Sequence, residues 1–118
     1  MDRKKELKEW YKQMKPDMGI FIIRCNLNNK CYIQATHDLR GTMNGTRVRL
    51  GANMHPCREL QKEWKEYGEE NFTIEILEHL EYDKDETKTD YKDELAILHM
   101  IWEEKLAKEG LELYKKSI

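Results

Sequence analysis

The spacing of hydrophobic and polar residues changes several times along the chain, and each change predicts a new element. Apolar residues at helical spacing predict an amphipathic helix over residues 2–14, which Pro16 ends. The apolar stripe of this helix consists of Leu7, Trp10, Tyr11 and Met14. A β-branched run predicts a buried strand over 18–25, and residues 31–35 predict a second strand. Because asparagines between the two strands favour a turn, residues 18–35 are expected to form a β-hairpin.

Helices are predicted for the middle of the chain. Asp38 is a good cap for a short helix over residues 39–44, which its glycines weaken, and residues 46–54 have no clear period. A stronger helix begins at Pro56 and ends before Gly68. The inward stripe of this helix is Cys57, Leu60, Trp64 and Tyr67.

The last part of the chain predicts one strand and one long helix. Alternation predicts a third strand over residues 72–78, and residues 81–90 form a polar loop. A helix over residues 91–108 follows, and Gly110 ends it. Its buried side is predicted to hold Tyr91, Leu95, Leu98, Ile101, Trp102 and Leu106. The order α-β-β-α-α-β-α, with one hairpin and one distant strand, predicts an α+β fold with a three-stranded antiparallel sheet flanked by helices.

Length and composition fit a single small intracellular domain. The chain has 118 residues, of which we expect 1–16 to be a helix packed on the domain, 17–108 the domain itself and 109–118 a C-terminal tail. Three cysteines cannot all pair within one chain, which favours the reducing cytoplasm. No apolar run approaches the roughly 18 residues of a membrane span, and no secretory signal is visible, so we expect no membrane association. The oligomeric state stays open.

Charge is distributed unevenly although the net charge is only −2. Residues 1–60 hold 12 Lys and Arg against 6 Asp and Glu, and residues 61–118 hold 9 against 17, so the two parts carry +6 and −8. This asymmetry is typical of a nucleic-acid-binding face on the basic part. Two oppositely charged halves that pack together would give the same pattern, and the pI of about 6.1 lacks the excess that drives non-specific DNA binding.

Short motifs give little support to metal or nucleotide chemistry. The five residues between Cys25 and Cys31 exceed the usual spacing of a zinc site, and the histidines show no ligand spacing. Gly-rich phosphate loops are absent from the sequence. Arg40, Arg47 and Arg49 form the most basic short stretch, and Arg47 and Arg49 would share one face of an extended segment, where they could contact adjacent phosphates. Solvated surface arginines are the plainer interpretation.

The spacing of two short motifs in the predicted hairpin is a more specific signal than the metal and phosphate motifs. Gly-Ile-Phe at residues 19–21 is followed, after ten residues, by Tyr-Ile-Gln at 32–34. Further matches are Leu-Gln-Lys-Glu-Trp at residues 60–64, Tyr-Gly-Glu-Glu-Asn-Phe at 67–72 and Glu-Ile-Leu-Glu at 75–78. Together these motifs make the chain resemble the GIY-YIG nuclease family over about residues 18–102. The resemblance implies a domain that cleaves a DNA phosphodiester bond with one divalent metal ion, Mg²⁺ or Mn²⁺.

The resemblance also assigns roles to two residues that match the family's pattern. Tyr32 keeps the tyrosine of the second motif, which implies a role in orienting or deprotonating the attacking water. Glu94 lies on the last predicted helix, where the family has its metal-binding glutamate, so the resemblance implies that Glu94 holds the metal. Because Glu94 shares a helix face with Leu98 and Ile101, we expect it to point toward the sheet.

Several departures from the family pattern put the activity in question. Phe21 replaces the first tyrosine, Gln34 replaces a glycine, Thr42 stands where the catalytic arginine is expected, and Thr46 stands where a histidine often occurs. The sequence therefore predicts a weak or inactive nuclease-like domain that binds a nucleic acid such as DNA, or a protein partner, for which the apolar stripe of residues 7–14 is a candidate surface. The alternative is an active metal-dependent DNA endonuclease with a relocated arginine, Arg47 or Arg49.

Overall fold

The structure is a computed structural model and describes residues 15–114. It contains four strands, three α-helices and one short 3₁₀ turn. In chain order these are β1 (Met18–Cys25), β2 (Lys30–Thr36), α1 (Leu39–Gly51), α2 (Arg58–Tyr67), the 3₁₀ turn (Glu69–Asn71), β3 (Phe72–Leu80), α3 (Lys92–Lys108) and β4 (Glu112–Leu113). The helix predicted for residues 2–14 lies outside the described residues.

One mixed sheet with the strand order β3-β1-β2-β4 organises the described part of the chain. The hairpin strand β1 lies in the middle and is antiparallel to both β2 and β3, as predicted. The two-residue strand β4 is parallel to β2, so the prediction of three strands is one short. Because β4 is too short for a period of its own and follows Gly110 in the predicted tail, only its pairing with the distant β2 defines it as a strand.

Both faces of the sheet are covered, and β1 contributes alternate side chains to each. Phe21 and Ile23 point toward α1 and α2 and pack with Leu60. Ile20 and Ile22 point the other way and pack in the core under α3. Since β1 is buried on both faces, its continuous apolar run is the pattern expected of a central strand. All three cysteines, Cys25, Cys31 and Cys57, are buried free thiols.

Helix α1 is longer than the sequence predicted. It extends from Leu39 to Gly51, which includes most of the segment that showed no clear period, whereas the prediction ended at residue 44. Tertiary packing explains the difference, because Leu39 and Leu50 at its two ends are both buried. The N-terminal cap is the predicted one, with Asp38 Oδ1 accepting the Gly41 N–H at 3.0 Å.

Helix α3 covers the opposite face of the sheet, and most of its predicted buried side is confirmed. Leu95 and Leu106 are buried, while Leu98 and Trp102 are half-buried. The prediction for Ile101 is wrong, since that side chain is 44% exposed. Ile101 lies on a different side of α3 from the buried Leu106, so its side chain faces solvent and not the sheet. Within residues 15–114, none of the helices is long and apolar enough to span a membrane.

Candidate functional site

A polar cleft lies where the second half of β2 meets α1 and the loop before α2. Its volume is about 510 Å³. The cleft is lined by Tyr32, Gln34, Asp38, Gly41, Thr42, Gly45, Thr46, Arg49, His55 and Pro56. Five of the residues that the sequence singled out therefore meet in one place, although 17 positions separate the first from the last: Tyr32, Gln34, Thr42, Thr46 and Arg49.

Strand β2 supplies the floor of the cleft through side chains on alternate positions. Tyr32 donates its hydroxyl hydrogen to Gln34 Oε1 at 3.2 Å, so the residue that replaces the family glycine binds the tyrosine. Two positions further along, Thr36 and Thr42 share a hydrogen bond of 2.6 Å between their hydroxyl oxygens. Phe21 lies opposite Gln34 in the pairing of β1 with β2 and is fully buried beneath this floor.

The phenol of Tyr32 is a proton donor in this setting. Burial raises the pKa of Tyr32, and the nearby Cys57 thiol adds to the increase, whereas the Arg49 guanidinium opposes it. A phenol with a raised pKa stays protonated at neutral pH and is a poor general base. Tyr32 can therefore donate a hydrogen bond to a ligand or to Gln34 but is not set up to remove a proton.

The wall of the cleft is one face of α1. Thr42, Thr46 and Arg49 are spaced by four and three residues, which places them on the same side of a helix. Thr46 is buried, whereas Arg49 is exposed at the rim and is the only Lys or Arg that lines the cleft among residues 15–114. Thr42 lacks the guanidinium that the family pattern places at this position, and Arg49 supplies one two helical turns further along.

The predicted grouping of the arginines is wrong. Arg47 and Arg49 lie on a helix and not on an extended segment, so their side chains are about 200° apart around the axis. Arg40 shares the face of Arg47, seven residues away, and both are exposed outside the cleft. The tertiary structure therefore selects Arg49 from the three arginines as the one that reaches the cleft.

A buried histidine closes the other side of the cleft. His55 Nδ1 accepts the backbone N–H of Cys57 at 3.0 Å, which leaves the proton of the neutral ring on Nε2. The ring meets that of Tyr32 edge to face, with 5.2 Å between the centroids. Gln61 holds the loop in place, because it accepts the His55 backbone N–H at 2.9 Å and donates to the Leu50 carbonyl at 2.9 Å.

The sequence did not single out His55 as a site residue. Its position directly before a proline at the start of a helix was visible, but the absence of a ligand spacing hid its role. Only the return of the loop against β2, which Gln61 fixes, brings His55 to Tyr32.

Glu94, the predicted metal ligand, lies outside the cleft. It is on the first turn of α3, on the other face of the sheet, and its Oε1 accepts a hydrogen bond from Lys88 Nζ at 2.9 Å. Its side chain is 39% exposed, and its buried Oε2 has no hydrogen-bond partner among the described residues. Glu94 is not among the residues that line the cleft with Gln34, Thr42 and Arg49.

The side chains of the cleft do not fit a divalent cation. Mg²⁺ and Mn²⁺ prefer several oxygen ligands, carboxylates above all. Among the described residues, the one carboxylate that lines the cleft is that of Asp38, and one of its oxygens already caps α1 through Gly41. Among residues 15–114 no group of three or more His, Cys, Asp or Glu is arranged to hold a metal ion. The cleft is instead rich in hydrogen-bond donors.

Comparison with solved structures identifies the class of fold. The chain is similar to the catalytic domain of the homing endonuclease I-TevI, with a TM-score of 0.66 and 24% identity, over 84% of this chain and 99% of that domain. A glutamate-to-alanine mutant of the same domain gives a TM-score of 0.65 and 23% identity, over 86% and 97%. No protein-family model and no curated protein matches the sequence. The described chain has the GIY-YIG nuclease fold, which confirms the resemblance seen in the motifs.

His55 is expected to make stability depend on pH. Burial lowers the pKa of His55 in the folded protein, so the unfolded chain binds the proton more readily. The stability that the neutral His55 ring contributes is therefore fully present above the ordinary histidine pKa of about 6.5. It is lost as the pH falls from this value to the lower pKa of the folded state. We expect His55→Asn, whose side-chain oxygen can still accept the Cys57 N–H, to remove this part of the dependence.

Urea unfolding at several pH values checks this expectation. One proton changes the free energy of unfolding by at most about 1.4 kcal/mol per pH unit. The native protein should lose stability more steeply than His55→Asn below pH about 6.5. Parallel curves for the two proteins would show that His55 does not titrate in this range.

Proposed function

We propose that this protein is a nucleic-acid-binding module on a nuclease fold, with weak or no cleavage of the phosphodiester bond. The composition of the cleft carries the proposal: within the described chain, one guanidinium and several neutral donors line it, and the single carboxylate there caps a helix. DNA is the proposed ligand, because the similar solved structures are catalytic domains of a homing endonuclease. The three free thiols support a reducing compartment, the cytoplasm, as the place of action.

A phosphate group fits the donors of the cleft. The planar guanidinium of Arg49 can bind two phosphate oxygens at once. The Tyr32 hydroxyl and the threonine hydroxyls are of the kind that position a nucleic-acid backbone without reading its sequence. Arg40 and Arg47, exposed on a different face of α1, are proposed to contact the backbone further along. This arrangement matches the excess of positive charge in residues 1–60.

The same residues account for the proposed loss of cleavage. Phe21 has no hydroxyl and is buried, Thr42 is uncharged, and the raised pKa of Tyr32 keeps its proton in place. Removal of one charge-stabilising donor typically slows an enzyme by about 10²–10³, and removal of a general base by about 10²–10⁴. Even if these two effects overlap, efficient cleavage is not expected from this set of residues.

Two assays on the same preparation test the proposal. Fluorescence anisotropy with labelled single-stranded, duplex and branched DNA should show binding that weakens steeply with salt. If the three arginines of α1 each neutralise one phosphate, affinity should fall by about 40-fold between about 50 and 200 mM salt. Gel assays with Mg²⁺ or Mn²⁺ should show no sustained cutting. Failure of all three DNA forms to bind at low salt would contradict the proposal and favour a role in binding a protein.

The position of Arg49 beside Tyr32 in the cleft favours a second candidate function. An active endonuclease with a relocated arginine requires a guanidinium beside Tyr32, and Arg49 lines the same cleft. That function would use Mg²⁺ or Mn²⁺ with Glu94 as its ligand. Metal-dependent cutting that is lost in both Arg49→Ala and Glu94→Ala, with both variants folded, would establish this candidate in place of the binding module.

A further inference from the structure

The outward side of α3 carries large apolar side chains, although its inward side already contributes to the core. Ile97 is 58% exposed, Met100 is 69% exposed, and the exposed Ile101 lies beside them. Because Met100 and Ile101 follow Ile97 by three and four positions, the three side chains form one patch on the helix surface. A helix that is apolar on both sides is normally covered on both sides. The patch therefore indicates a contact surface.

The two ends of this patch carry exposed charges of opposite sign. Asp93 lies in the first turn of α3 and Lys108 in the last turn. Seven positions separate Asp93 from Met100, and seven separate Ile101 from Lys108, so both charges lie on the side of the patch at equal distances from its centre. If this surface is turned end for end, each charge takes the place of the opposite one, while the apolar centre stays where it was.

We propose that the outer face of α3, which consists of Asp93, Ile97, Met100, Ile101 and Lys108, pairs with the same face of a second copy of this chain in antiparallel orientation. Met100 of each copy then packs against Ile101 of the other, and Asp93 of each lies beside Lys108 of the other. A parallel pairing would place like charges together at both ends, which charge complementarity opposes. Because the face is complementary to itself, a second copy is the partner that it fits.

The size of the outer face makes this a weak dimer. The helix from Asp93 to Lys108 is about 22 Å long, and one helix face of this length buries much less than the roughly 1,600 Å² of a standard interface. We expect a dissociation constant of about tens to hundreds of micromolar. Lys108 can keep its own pairing with Glu104, whose Oε1 lies 3.4 Å from Lys108 Nζ, because both side chains stay at the rim.

The dimer is compatible with the cleft but does not rest on the proposed function. Helix α3 packs on one face of the sheet, whereas α1, which forms the wall of the cleft, packs on the other. Pairing through the outer face of α3 therefore leaves the clefts of both copies open to solvent.

Sedimentation velocity of the full chain at increasing protein concentration tests the pairing. We expect the native protein to shift from monomer to dimer toward millimolar concentration. Met100→Glu should weaken the association by about tenfold or more, because it buries an unpaired carboxylate at the centre of the contact. The matched control is Val48→Glu, which adds the same charge at a residue of α1 that is 70% exposed. A native protein that stays monomeric, or equal dimerisation of Met100→Glu and native protein, overturns the proposal.

Disulfide cross-linking through introduced cysteines tests the antiparallel direction. The native thiols compete little, because Cys25, Cys31 and Cys57 are buried. Met100→Cys places two thiols beside the twofold axis, whereas those of Asp93→Cys are about 22 Å apart, beyond the roughly 7 Å between Cα atoms that a disulfide spans.

An equal mixture of Asp93→Cys and Lys108→Cys brings one thiol of each protein together. We expect covalent dimers from Met100→Cys and from this mixture, and few from Asp93→Cys alone. Efficient cross-linking of Asp93→Cys alone, or none in Met100→Cys, overturns the antiparallel pairing.

Deletion of residues 1–14 separates the outer face of α3 from the other candidate surface, the apolar stripe predicted for residues 7–14. Association that is lost on this deletion and unchanged in Met100→Glu would assign the contact to those residues and overturn the proposal. Association that survives the deletion and is lost in Met100→Glu supports it. DNA binding by the Met100→Glu protein tests the proposed function separately, because this substitution lies outside the cleft.

Discussion

Replacement of Arg49 by alanine is expected to weaken DNA binding by about 10- to 100-fold without unfolding the protein. In the part of the chain that the structure describes, Arg49 is the only Lys or Arg side chain that lines the cleft, and it is exposed, so its removal leaves no cavity in the core. A hydrogen bond to a charged group contributes about 1.5–3 kcal/mol, which corresponds to this range of affinity. Fluorescence anisotropy at low salt, with thermal unfolding to verify the fold, provides the measurement.

Arg47→Ala is the matched control for Arg49→Ala. It removes the same charge from the same helix, but its side chain lies about 200° around the axis, outside the cleft. We expect Arg47→Ala to weaken binding less than tenfold, because one backbone contact at the periphery is lost. Equal effects of the two substitutions would show that binding depends on the general charge of α1 and not on the cleft.

Arg49→Lys adds a test of geometry. Lysine keeps the positive charge but cannot make the paired hydrogen bonds of a guanidinium. If Arg49 clamps a phosphate, Arg49→Lys should recover only part of the affinity lost in Arg49→Ala. Full recovery would reduce the role of Arg49 to that of a point charge.

Gly19→Ala is expected to lower the free energy of unfolding by about 3 kcal/mol, near the upper end of what an overpacked site usually loses. Strand β3 runs so close to Gly19 that an added Cβ would overlap the Glu78 carbonyl oxygen and lie 2.9 Å from the His79 Cα. Both of these atoms are backbone and cannot rotate away. The pairing of β1 with β3 shifts register between Ile20 and Phe21, next to this contact.

Gly45→Ala is the control, because the same change should have the opposite sign there. Gly45 lies inside α1, and an added Cβ meets no atom within 4 Å. Alanine in the interior of a helix is favoured over glycine by about 0.5–1 kcal/mol. Urea unfolding of both variants gives the comparison. A Gly19→Ala protein as stable as the native one would mean that β3 does not approach β1 as closely as the structure shows.

The fold was largely predictable because its main elements have local signals. The apolar run of β1, the asparagine turn and the alternation in β3 each follow from a few neighbouring residues. Two features had no such signal. The second half of α1 is helical because Leu50 is buried, and β4 exists because Glu112 meets Asn29 across the sheet. A pattern within a short window contains neither of these contacts.

The site was predictable only in part. Tyr32, Gln34, Thr42 and Thr46 were singled out through the resemblance to the GIY-YIG motifs, and all four line the cleft. Glu94 does not join them there, and its assignment as a metal ligand stays a prediction. His55 was missed because its approach to Tyr32 depends on a loop that Gln61 holds from another helix.

By itself, the sequence determined the hairpin, the GIY-YIG fold and the absence of a hydroxyl and a guanidinium at two expected positions, because residue identities and short spacings are enough for these conclusions. Only the tertiary structure decided that Arg49, and not Arg40 or Arg47, reaches the cleft. The direction of a side chain depends on whether its segment is extended or helical, and the burial of Leu39 and Leu50 settled this for α1. Packing between distant residues therefore fixed which charges converge on the cleft.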